Sequence, residues 1–114
     1  MSRGAEAAAS TQGYTARLTL HPAAPGRNHV MVALADEEGQ PVVAREVTTF
    51  WSLEEVGIEP IERRTVPAGE GRFASEIDLP VPGTWSVRID ALVSDFDKMI
   101  FRTDLTVAPS VEAR

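Results

Sequence analysis

The sequence has no cysteine, two histidines and one lysine (Lys98) in 114 residues, and each shortage removes a class of chemistry. Without cysteine there is no thiolate zinc site, no dithiol redox couple and no thiol nucleophile. The compartment stays open, because a core of this size does not require disulfides. Basic residues are also scarce: Lys and Arg number 11 against 17 Asp and Glu, for a net charge of -6. Such a surface repels phosphate backbones and anionic lipid, which argues against nucleic-acid binding and against docking on a charged bilayer. No apolar run approaches the roughly 18 residues of a membrane-spanning helix, so direct membrane insertion is not expected. Residues 1–13 are small and polar and lack the apolar middle of a signal peptide. They fit either a cytoplasmic protein or a piece of a longer exported chain.

Amphipathic helical periodicity is missing as well. What is present is a hydrophobic share of 43% and a charged share of 25%, normal for a globular domain, and alternation of period two. Tyr14, Ala16, Leu18 and Leu20 share one strand face, and Val30, Val32 and Leu34 share another. Val47, Thr49 and Trp51 follow, then a weak strand over residues 58–66 whose Pro60 assigns it to a sheet edge. Phe73, Ser75, Ile77 and Leu79 come next, then the longest alternation (Trp85, Val87, Ile89, Ala91, Val93), and last Met99, Phe101, Thr103, Leu105 and Val107. Pro- and Gly-containing turns separate them, and Ser52 with Glu55 reads as a capping box for one short helical turn. Seven strands with turns at this spacing predict an all-β, immunoglobulin-like two-sheet β-sandwich over residues 14–108. A flexible N-terminal segment (1–13) and a flexible tail (109–114) are expected to flank it.

Within that frame few residues can carry chemistry. His21 falls in a turn and His29 at a strand start, neither in a nucleophile motif, and Gly69-Glu70-Gly71 lacks the spacing and following helix of a phosphate loop. No catalytic or cofactor-binding residue is assigned, and no enzyme activity is expected. Imidazole with thioether suits copper: His29 and Met31 share a strand face, and His21 and Met99 come from segments able to approach. Met31 and Met99 read more simply as packing residues, with both histidines at the surface. Asp90, Asp95 and Asp97 lack the twelve-residue calcium-loop pattern and read as an acidic hairpin. No metal site is assigned. Trp51 and Trp85 fall on apolar faces and belong to the core. Phe50, at an outward phase, and Phe96, in the 94–98 hairpin, are the candidate contact aromatics.

Two blocks carry a family resemblance. The first is Pro25-Gly26-Arg27-Asn28, then Val30 to Asp36 with Gly39-Gln40-Pro41. The second is Gly69-Glu70-Gly71-Arg72-Phe73, then Leu79-Pro80-Val81-Pro82-Gly83-Thr84-Trp85-Ser86-Val87. Their order resembles YtkA-like domains, in which a Gly-x-Tyr/Phe strand leads to a Pro-Gly-x-Trp turn. The closest version stands at the C-terminus of bacterial copper-transport proteins of the CopC/CopD type, with FixH-like proteins more distant. The resemblance spans roughly residues 14–108. It implies an extracytoplasmic, periplasmic-side accessory domain attached to a membrane copper-handling protein, and a protein partner or parent membrane protein. It brings no ligand set onto this chain, and tight copper binding is not expected. The rival expectation is a general protein-interaction or spacer sandwich with no metal role.

Overall fold

The computed structural model describes residues 4–109, in which nine strands and one short 3-10 turn follow one another. The strands are β1 (Ala5–Thr11), β2 (Tyr14–His21), β3 (Gly26–Ala35), β4 (Glu46–Leu53), β5 (Ile58–Arg64), β6 (Val66–Pro67), β7 (Arg72–Leu79), β8 (Gly83–Leu92) and β9 (Lys98–Val107). They form two antiparallel sheets, one of order β1-β2-β3-β7-β6 and the other of order β5-β4-β8-β9. The result is an all-β sandwich. Each sheet turns its alternate apolar residues inward, as period-two patterning requires. One buried cluster joins them: Leu18, Leu20, Val30 and Val32 from the first sheet with Trp51, Trp85, Val87 and Ile89 from the second.

The two tryptophans anchor this interior, and both indoles are wholly buried. An indole N–H needs a partner when it leaves water, and each finds one. Trp51 donates to Thr49 Oγ1 at 2.9 Å and Trp85 to the Val81 carbonyl at 3.2 Å.

The structure corrects the sequence reading in three places. Residues 5–11, expected outside the sandwich, form β1, an outer strand paired with β2 along its whole length from Ala5↔Leu20 to Thr11↔Tyr14. The two-residue turn Gln12-Gly13 has φ of 53° and 85°, which suits the natural twist of a tight hairpin. Ala5, Ala7 and Ala9 then rest on the core edge. Residues 58–66, expected as one strand, divide at buried Thr65 into β5 and β6, which belong to opposite sheets. Thr65 holds the crossing by donating its amide (3.0 Å) and its hydroxyl (2.7 Å) to the Val47 carbonyl. These two changes raise seven strands to nine. Ser52 caps nothing: the 3-10 turn Glu54–Val56 starts after Leu53 with no side-chain cap. Its residue is taken up by β4, whose pairing with β5 shifts between Trp51 and Leu53, next to Pro60 on the expected edge strand.

The expected tail, 109–114, and the first three residues of the expected N-terminal segment lie outside the described residues, apart from Pro109. Among the described residues no helix is long and apolar enough to cross a membrane.

Candidate functional site: the hairpin end of the sandwich

The connection 36–45 and the hairpin 93–97 meet at one end of the sandwich. They meet because Glu46 pairs with Leu92 and Leu92 with Lys98, so the start of β4, the end of β8 and the start of β9 lie side by side. The amide of Arg45 donates to the Leu92 carbonyl at 2.7 Å, and the Arg45 guanidinium pairs with the Asp95 carboxylate.

Both connections are held by their own side chains. Asp36 Oδ1 accepts from the amides of Glu38 and Gln40, each at 2.9 Å, the local capture that suits Asp to turns. In the hairpin, Ser94 Oγ accepts from the amides of Phe96 (3.3 Å) and Asp97 (3.1 Å) and bonds the Asp97 carboxylate at 3.1 Å. The Val93 amide donates to the Asp97 carbonyl at 2.9 Å. The turn therefore fixes the backbone that carries Phe96, whose side chain is 93% exposed. Val43, on the neighbouring connection, is 85% exposed while Val42 beside it packs on the core. A ring held out in water by a turn of fixed backbone, with a second exposed apolar side chain at the same end, makes this end a candidate contact surface.

The other candidate residues fall as follows. Phe50 does point outward on β4, but it is half-buried because the Arg88 guanidinium lies over its ring, 4.3 Å from the centroid. Met99 is buried in the core, whereas His21 is exposed on the opposite sheet, so the approach of His21 to Met99 does not occur. His29 and Met31 share the outer face of β3. His21 stands opposite His29 in the β2–β3 register, a pairing that linear spacing does not reveal. The His29 Nδ1 lies 3.3 Å from the Glu76 carboxylate. The acidic hairpin residues diverge: Asp90 pairs with Arg88 (2.9 Å) on the outer face of β8, Asp95 with Arg45, and Asp97 with Ser94. Among the described residues no three His, Asp or Glu side chains come together so as to hold a metal ion.

Sequence reasoning missed Val43 and Arg45. The signal was the alternation in Pro41-Val42-Val43-Ala44, which places adjacent valines on opposite sides. Comparison with protein-family models, with curated proteins and with solved structures finds no match to this chain.

Proposed function

We propose that this chain is an immunoglobulin-like, non-catalytic accessory domain that docks a protein partner through the end carrying Phe96 and Val43. The observation that carries the reading is the almost wholly exposed Phe96 ring on a hydrogen-bonded turn. The immunoglobulin-like assignment is supported by strand order. The series β2-β3-β7-β6 facing β5-β4-β8-β9 follows the A-B-E-D and C′-C-F-G arrangement of that architecture, with β1 added beside the first strand. In that scheme the connections 36–45 and 93–97 take the places of the B–C and F–G loops, which serve recognition in many such domains.

The partner we propose is the membrane portion of a bacterial copper-transport or copper-handling protein, on the extracytoplasmic, periplasmic side. This part rests on the resemblance to YtkA-like domains. A photo-cross-linking residue at position 96, in the full-length gene product in cells, should capture that membrane portion or a neighbouring subunit, and the same residue at position 66 should not. Equal yields from both positions would remove the hairpin end from the proposal. The alternative, an interaction or spacer module with no metal role, is favoured by the placement of Met99 in the core, away from both histidines. Copper dependence of the cross-link separates the two readings.

A further inference from the structure

The outer face of the four-stranded sheet carries a groove of about 630 Å³. Its floor is set by small side chains: Ser52 and Ser86 are register partners, and Asp104 stands opposite Ser86 in the same row. The adjacent row is tall and reads Phe50, Arg88, Arg102. Glu54, at the start of the 3-10 turn, closes the far side.

The arginine pair is energetically odd. Arg88 and Arg102 stand directly opposite on neighbouring antiparallel strands, an arrangement in which like charges repel. Arg88 cannot swing clear, because it is stacked on Phe50 at 4.3 Å and held by both Asp90 oxygens at 2.9 and 3.3 Å. Arg17, Arg27, Arg45 and Arg64 each face a carboxylate. Arg102, like Arg63 and Arg72, has none within ion-pair distance among the described residues, but of these three it alone stands opposite another arginine. In a chain of net charge -6, an unpaired guanidinium beside a fixed one marks a place where an anion relieves the repulsion. Asp90 takes the Nε and Nη2 of Arg88, which leaves the Arg88 Nη1 and the whole Arg102 fork to receive a carboxylate. The next row has the opposite sign at Asp104, and Glu54, beyond that row at the start of the 3-10 turn, also lines the groove. Rows two residues apart along a strand are separated by about 7 Å. That spacing matches a ligand whose charges are separated by a short backbone, rather than an α-amino acid, whose charges are adjacent.

We propose that this groove binds a small dipolar ligand of dipeptide size, its carboxylate held by Arg88 and Arg102 and its ammonium facing Asp104 and Glu54. The site lies on the sheet face rather than at the hairpin end and does not depend on the docking reading.

The test titrates the 114-residue chain, followed by amide NMR, with three probes of one scaffold: alanylalanine, its N-acetyl form (anion only) and its C-terminal amide (cation only). Alanylalanine should give saturable shifts at Ser52, Ser86 and Arg88, and each capped form should bind about tenfold more weakly, the usual cost of one charge-assisted hydrogen bond. Arg102→Gln should weaken alanylalanine about tenfold and leave the amide unchanged. Asp104→Asn should weaken alanylalanine and leave the N-acetyl form unchanged. Retained shift dispersion in both variants shows that the fold is intact, as expected for exposed positions. Equal binding of all three probes, no saturation, or an Arg102→Gln variant that binds alanylalanine normally would overturn the proposal.

Discussion

Asn28 is the most consequential polar residue in the interior, and replacing it by alanine tests how the 22–26 connection is held. The side chain is wholly buried on the inward face of β3. Its Oδ1 accepts from the amides of Ala23 at 2.7 Å and Ala24 at 3.3 Å, and its Nδ2 donates to the carbonyls of Ala24 at 2.8 Å and Gly26 at 3.0 Å. All its hydrogen-bonding capacity is therefore spent on folding one short connection back over the end of the core. In Asn28→Ala the Ala23 amide, in a residue only 6% exposed, loses its short partner, which costs about 1–3 kcal/mol. The groups of Ala24 and Gly26 lie nearer solvent and recover part of their hydrogen bonding from water, adding about 1 kcal/mol more. The expected loss is about 2–4 kcal/mol in all. With a urea slope of about 2 kcal/mol per molar, the middle of the usual range, the unfolding midpoint falls by about 1–2 M. Trp51 and Trp85, both wholly buried, supply the fluorescence signal. Asn28→Asp keeps the acceptor but turns a carboxylate toward two carbonyls, so it should be no more stable than the alanine variant. A midpoint for Asn28→Ala within about 0.3 M of the parent, at unchanged slope, would mean that water replaces the amide at no net loss and that the connection does not depend on it.

Four further outcomes are expected. Trp85→Ala should destabilise by about 3–5 kcal/mol through lost burial and a cavity, read from the urea midpoint; a loss below about 1 kcal/mol would contradict the buried position. Gly71→Ala should destabilise by about 1–3 kcal/mol, measured by thermal unfolding, because φ is +66° and the new Cβ would sit 2.8 Å from the Pro41 side chain and 2.9 Å from the Leu34 carbonyl. Phe96→Ala should leave stability within about 0.5 kcal/mol while weakening partner capture; a large loss of stability would show the ring to be structural. Calorimetry with Cu(I) and Cu(II) should show weak binding or none, and a tight one-to-one complex lost in His29→Ala or Met31→Ala would overturn that expectation.

Phase along a strand was legible in the sequence because it needs only alternation: Leu18, Val30, Trp51, Trp85 and Ile89 all lie inside, on the side their spacing assigns. Pro60 likewise marked an edge strand, since proline cannot donate to a ladder. What alternation does not contain is the neighbour across the ladder. β1 was missed because Ala5, Ala7 and Ala9 have weak strand propensity, and their pairing depends on a turn at Gln12-Gly13 that does not use the common Asn-Gly pair. The crossing at Thr65 was missed because a change of sheet leaves the period intact and appears only in the hydrogen bonds to Val47.

The two outward phenylalanines show the same limit at the candidate site. Strand phase for Phe50 and hairpin position for Phe96 gave them equal standing as contact residues, yet their surroundings differ in kind. Phe50 lies in the middle of a sheet, where Arg88 is its register partner, so a guanidinium held by Asp90 covers the ring and turns it into part of the groove wall. Phe96 lies in a turn with no partner across a ladder, and Ser94 spends its hydroxyl on the turn's own amides, so among the described residues no side chain folds over the ring. An aromatic in mid-sheet is thus shielded by whatever its cross-strand neighbours supply, whereas one at the apex of a self-satisfied hairpin can be covered only by another surface. That difference in available neighbours, which register fixes and composition does not, places the proposed docking contact at Phe96 and assigns Phe50 to the groove.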